Sequence, residues 1–459
     1  MKQTQDTRSV LLSENPYRLM VKLSLPAIIG MVVIGLYNFM DSVFVGQMIS
    51  PEAMGAVSIA YPFTFINSGI ATLIGIGSAS LLSRAVGKGD KETINKIMGN
   101  LIVLVLLFSA ATTFVGIVFS KQLLLLSGAK DEILSLAQRY LKIIFVGSLF
   151  VNFAQSANMV MRGEGLFKRA MLIMGTGAIL NIILDPIMIY ILRPMGYGIE
   201  GAALATVIAQ IVQSAITMWY FKKKSQTVKI NKIALDKKML PDILGVGVSA
   251  MLMQVMQLIQ QTLMYNTAEQ YGGDSWQIIL GAALRLQAFA FIPIWGIAQG
   301  FQPAVGTNYG AKDYGRVKQV TKAFTVGSTI LALLFYVPIM CFPKNMLSMF
   351  ITNPEIVAQG TSSLRLLFST YITLGFMIIS ITFFQALGKG STAAMLTVSR
   401  QILIFVPLVL ILPKIGGLGI QGVWIAPVIT DIIVLILSTI VVLKAFKNMN
   451  KLKNIKTSK

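Results

Sequence analysis

Residues 95–119 read NKIMGNLIVLVLLFSAATTFVGIVF, and beyond Lys96 the stretch carries no charge. A helix needs about 20 apolar residues to cross a bilayer, so this segment is long enough to span one. Working outward, eleven more stretches of the same kind occupy 20–46, 54–83, 137–161, 168–192, 198–221, 242–270, 277–308, 320–341, 362–386, 393–412 and 419–445. The reading is an all-α integral membrane protein with twelve transmembrane helices. The first stretch has no small-residue cleavage site at its end, and Pro26, Asn38 and Asp41 lie within it. It is therefore expected to be a retained helix, not a signal peptide.

Composition supports the same class and removes others. Of 459 residues, 55% are hydrophobic and 12% charged, about half the charged share of a soluble chain. The net charge of +21, from 39 Lys and Arg against 18 Asp and Glu, does not imply nucleic acid, because the basic residues punctuate apolar runs instead of covering a soluble face. The chain has no histidine, which excludes a Ser-His-Asp triad, a His-ligated zinc site and a histidine proton relay. The single Cys341 cannot form an internal disulfide and is expected to be a small buried hydrophobe. No GxxxxGK[ST] phosphate loop is present, so energy for any transport must come from an ion or substrate gradient. Neither an enzymatic activity nor a resident cofactor is expected.

Loop charge sets the orientation. Arg84, Lys88, Lys91 and Lys96 surround the second loop, Arg162, Lys168 and Arg169 the fourth, Lys222 to Lys224 and Lys229 to Lys238 the sixth, and Lys312, Arg316, Lys318 and Lys322 the eighth. The first and seventh loops carry no Lys or Arg. The positive-inside rule then places the even loops and both termini in the cytoplasm of a cell-membrane protein.

The twelve spans are two copies of six. Val86-Gly87-Lys88-Gly89-Asp90 recurs as Tyr309-Gly310-Ala311-Lys312-Asp313, Gly163-Glu164-Gly165 as Gly388-Lys389-Gly390, and Gly198-Ile199-Glu200-Gly201 as Gly419-Ile420-Gln421-Gly422, at offsets of 223, 225 and 221 residues. One short glycine match means little; three in the same order at nearly one offset define a repeat. Six spans per copy start both copies on the same side, so the lobes are related by a pseudo-two-fold axis along the membrane normal. The expected organisation is an amino-terminal lobe 1–221, a cytoplasmic linker 222–241, and a carboxy-terminal lobe 242–459 with a basic tail. Two lobes around a midplane cavity suit a secondary transporter.

Away from the few residues at each end, acids within the spans are few: Asp41, Asp185 and Asp431. A charge near a helix centre costs about 2.5–3.5 kcal/mol on the insertion scale, so such residues usually face a cavity and function there. Helical spacing gives them companions, with Tyr37 and Asn38 one turn before Asp41 and Asn181 one turn before Asp185. Pro186 beside Asp185 also allows a local role, in which the carboxyl caps an interrupted helix. In the second half, Gln254, Gln257 and Gln261 form a polar stripe followed by Arg285, suited either to substrate contact or to interhelical hydrogen bonding. The difference between the halves points to ion coupling in the first. The 25 Met and 25 Phe are compatible with an adaptable lining for varied ligands.

The segments Ser24-Leu25-Pro26, Tyr37 to Gly46, Arg162-Gly163-Glu164-Gly165, Asn181 to Pro186 and Gly201 to Thr206, with Gln299 to Pro303 and Asn308 to Ala311, resemble the multidrug and toxic compound extrusion (MATE) transporters. Asp41 makes the chain similar to the prokaryotic DinF-like and MepA-like branch. The resemblance implies a monomeric exporter in the membrane lipid that exchanges inward H+ or Na+ for outward organic cations and other drugs. It implies a cation-coupling cluster of Asp41, Asn181, Asp185 and Thr206, the same four being the ligands of a sodium ion if one binds. It adds Tyr140 and Asn158 to Tyr37, Asn38, Gln254, Gln257, Gln261 and Arg285 as substrate-contacting candidates. The alternative is a lipid-linked oligosaccharide flippase of the same architecture, a reading that Arg285 and Arg400 sustain.

Overall fold

The computed structural model describes residues 2–126 and 129–457, with side chains for all of these except 2–6, 38, 39, 42, 51, 126, 131 and 453–457. The described residues contain no strand. Among the described residues eleven helical segments are long and apolar enough to cross a membrane, and a bent pair, Glu132–Val146 with Ser148–Gly163 at 55°, makes twelve if it is one span. That bent pair is the span read at 137–161. Outward-facing apolar side chains such as Phe114, Tyr190 and Phe289 are 66%, 76% and 64% exposed, a surface that suits lipid and not water.

In chain order the helices are α1 (Lys2–Ser13), α2 (Pro16–Met48), α3 (Pro51–Lys88), α4 (Lys91–Leu126), α5 (Asp131–Val146), α6 (Ser148–Gly163), α7 (Phe167–Leu192), α8 (Gly198–Trp219), α9 (Leu240–Gly272), α10 (Asp274–Gly310), α11 (Tyr314–Cys341), α12 (Pro343–Ser348), α13 (Pro354–Phe368), α14 (Tyr371–Ala386), α15 (Gly390–Val398), α16 (Phe405–Ile411) and α17 (Ile420–Thr457). They form two compact units, Met1–Val10 with Ile29–Met251, and Leu11–Ile28 with Leu252–Lys459.

The repeated Gly-Asp loop is a helix stop followed by a helix start. Gly89, at φ 75°, ends α3, and Asp90 caps α4 by accepting from the Thr93 N–H at 3.1 Å and the Thr93 hydroxyl at 2.8 Å. Those bonds hold the Asp90 carboxyl below its usual range. In the second copy Lys312, at φ 61°, takes the left-handed position, and Asp313 accepts from the Arg316 N–H that starts α11. The motif is thus explained by backbone geometry alone.

Close packing in the first unit relies on small residues, as expected where lipid gives no hydrophobic drive to helix association. A Cβ on Gly247 would stand 1.8 Å from the Leu73 carbonyl oxygen, and one on Gly77 2.0 Å from that of Ile243, so α3 and α9 meet backbone to backbone. Cys341 departs from expectation: it is exposed at the end of α11, one turn beyond the outward-facing Val337 and beside the exposed Phe342. The outward stripe of the helix overrides the general preference of free cysteine for burial.

Candidate functional site

The site is built where α7 and α8 pack in the first unit. Gly201 allows α8 to approach α7, since a Cβ there would lie 2.7 Å from the Met188 carbonyl oxygen. The close approach places Thr206 opposite Asn181. The Asn181 Nδ2 donates to Asp185 Oδ1 at 3.1 Å and to Thr206 Oγ1 at 3.2 Å, fixing the amide with its oxygen turned away from both. Helix α7 runs unbroken through Pro186, so Asp185 does not cap an interrupted helix.

Asp41, from α2, comes within hydrogen-bonding reach of Asp185. The hydroxyls of Tyr37 and Tyr140 lie within electrostatic range of the two carboxyls, and that of Tyr61 lies near those two tyrosines. Asp185 is 0% exposed and Asn181 2%. Asp41 Oδ1, Asn181 Oδ1 and Asp185 Oδ2 are buried without a hydrogen-bond partner. Three acceptor oxygens with no donor, two of them on carboxyls, call for a positive charge. All of them are hard oxygen donors, a set suited to a proton or an alkali cation and not to a softer metal. Among the described residues no group of three or more His, Cys, Asp or Glu side chains forms a metal cluster.

Of the sequence candidates, Asp41, Asn181, Asp185, Thr206, Tyr37 and Tyr140 therefore come together. The side chain of Asn38 lies outside the described ones. Asn158 does not join the group: it donates to the Ala170 carbonyl at 2.8 Å, eleven residues before Asn181, which is about 16 Å along the helix at 1.5 Å per residue. Tyr61 was not legible as a neighbour of Tyr37 and Tyr140 because α3 brings it in from a distant part of the sequence. Gln210, one turn beyond Thr206, could have been found by helical spacing; its Oε1 is buried and unpartnered.

In the second unit, Gln257 and Gln261 line a cavity shared with Gln260, Gln287, Arg400, Gln401 and Asp431. Gln254 is not among its lining residues, and Arg285 is exposed. Arg400 is not a free cationic group, because its Nε donates to Asp431 Oδ1 at 2.9 Å. One arginine already paired leaves too little positive charge for a multiply charged pyrophosphate, which a flippase would have to hold.

Two repeats of membrane helices, one holding a buried acid cluster that lacks a counter-charge, define a membrane transporter and not an enzyme. Comparison with known proteins gives the same class. The MatE family model matches residues 26–187 and 249–411, and the chain belongs to that family. It is 27% identical over 404 residues to the multidrug export protein MepA of Staphylococcus aureus strain MSSA476, covering 88% of each chain. It is 25% identical to an FAD transporter of Shewanella oneidensis, covering 93% of this chain and 94% of that one. A MATE crystal structure in a bent conformation superposes with a TM-score of 0.91 at 28% identity, covering 98% of this chain and 99% of the other.

Proposed function

We propose that this protein is a secondary multidrug exporter of the cell membrane, with both termini cytoplasmic, which carries cationic or amphipathic organic compounds outward in exchange for inward H+ or Na+. Lobes 1–221 and 242–459, joined by the 222–241 linker, would alternate access by rocking. The observation that carries the reading is the trio of unpartnered oxygens on Asp41, Asn181 and Asp185. Two neighbouring carboxyls within membrane spans do not readily both stay charged without a cation, so entry of the ion and departure of an organic cation can compete for one negative site. The likeness to MepA supports a drug substrate, while the likeness to an FAD transporter shows that family membership alone does not name it.

A proton is the preferred coupling ion because one carboxyl suffices to hold it. Sodium is the second reading: Thr206 Oγ1 lies beside Asn181, and a four-oxygen shell with the two acids would need the Asn181 amide to turn its oxygen toward them. The test is ethidium efflux from proteoliposomes under a pH gradient alone and then a Na+ gradient alone. Efflux driven by the pH gradient and abolished in Asp41→Asn is expected. Full coupled transport by a normally inserted Asp41→Asn protein would refute the assignment. Na+-driven efflux at equal pH, lost in Thr206→Ala, would replace the proton with sodium.

A further inference from the structure

The cavity of the second unit has a chemistry that the acid cluster of the first does not share. It measures about 80 Å³, and at about 30 Å³ per water it holds roughly three waters. That is room for a polar head group, not for a whole drug. Arg400 enters it from the five-residue stretch Ser399–Leu403, where the Ile404 N–H donates to the Ser399 carbonyl at 3.0 Å. This wider winding, one residue longer than a normal turn, is a distortion often found at functional sites.

The donor and acceptor inventory decides the ligand. Asp431 is the only acid lining the cavity, and both its oxygens are engaged, Oδ1 by Arg400 Nε at 2.9 Å and Oδ2 by the Thr370 hydroxyl at 3.2 Å. An organic cation would find no free counter-charge. The ion pair uses one of the five guanidinium N–H groups and leaves the terminal amino groups for an acceptor. Gln401 is 5% exposed, and its Oε1 has no hydrogen-bond partner, so it calls for a donor. Gln257, Gln260, Gln261 and Gln287 can each give and accept. We infer that this cavity is a second ligand site, selective for a small carboxylate head with an adjacent N–H, the carboxylate seated on Arg400 and the N–H on Gln401 Oε1. The site lies in the other unit from the proposed coupling cluster and prefers the opposite charge.

Dansylglycine carries that head, and dansylglycinamide has the same body without the charge. Trp276 and Trp295 of α10 and Trp424 of α17 belong to helices that line the cavity, so tryptophan-to-dansyl energy transfer in the purified full-length protein reads occupancy. Saturable dansylglycine binding is expected, with the amide at least about tenfold weaker. The double variant Arg400→Met/Asp431→Leu removes both charges together and should bring the acid down to the affinity of the amide. Gln401→Leu, which keeps the ion pair, should weaken binding several-fold. Asp41→Asn should leave binding intact whether or not it abolishes transport, which separates this site from the exporter reading. The inference is overturned by absence of saturable binding, by equal binding of acid and amide, by full affinity in the double variant, or by loss of binding in Asp41→Asn. If the double variant does not fold, unchanged affinity in Gln401→Leu overturns it alone.

Discussion

Glu164 sits between α6 and α7, 5% exposed, with its Oε2 lacking a hydrogen-bond partner. Burial pushes its carboxyl up from 4.5 to about 7, although a hydrogen bond with Thr227 and the nearby positive Arg169 pull the other way. The folded protein therefore holds this proton more tightly than the unfolded chain. Its stabilising contribution is fully present below pH 4.5, declines as the unfolded chain begins to release its proton, and is gone above pH 7. At 1.36 kcal/mol per pH unit, the whole effect is about 3 kcal/mol, most of it lost between pH 5 and pH 7. Thermal unfolding of the detergent-purified protein should show wild type losing stability over that range. Glu164→Gln, which has no proton to lose, should match wild type near pH 5 and exceed it at pH 8. A difference between the two proteins that stays constant with pH, or shrinks as pH rises, would refute the linkage.

Gly247→Ala forces a Cβ to 1.8 Å from the Leu73 carbonyl oxygen, whereas Gly245 has nothing within 4 Å of the same atom. The first substitution should cost about 3 kcal/mol or more and the second should raise stability by about 0.4–1 kcal/mol, a contrast that melting curves of the two variants would check. Arg400→Met should destabilise by about 3–5 kcal/mol, because Asp431 is left charged and buried, while Arg400→Met/Asp431→Leu should be nearly neutral. Equal melting of the single and double variants would contradict a buried ion pair.

How much of this was legible in the sequence depends on the distance over which each signal acts. The spans, the repeat and the pairing of Asn181 with Asp185 are local: apolar length and the i, i+4 spacing are visible along one stretch of chain. Thr206 was reached only through resemblance, because its place opposite Asn181 depends on the backbone approach that Gly201 permits across two helices. Tyr61 and the Arg400–Asp431 pair were missed as contacts for the same reason. Asp431 read as an isolated acid, since its partner lies 31 residues away on a distorted turn whose winding no periodicity reveals. Asn158 was reached through resemblance as well, and its amide donates to the Ala170 carbonyl while its Oδ1 stays unpartnered.

The repeat itself shows how the two halves came to differ chemically on one backbone plan. Gly201 and Gly422, 221 residues apart, make equivalent close approaches, the first against Met188 and the second against Leu412 and Pro413. Carried along the same offset, Thr206 corresponds to Pro427 and Gln210 to Asp431, and both Pro427 and Asp431 line the second cavity. The same face of the same helix therefore borders a polar site in each half. The preceding helix lies between loops offset by 225 and 221 residues, so Asp185 falls within 406–410 and Asn181 within 402–406, stretches without an acid or an amide. The acid pair cannot be rebuilt there. The remaining acid has moved to the facing helix, where Arg400 neutralises it. A half that keeps unpaired carboxyls attracts cations, and a half whose only cavity acid is already paired does not. On the proposed reading, one repeated fold thus separates ion coupling from a second recognition chemistry by exchanging residues at a few matched positions.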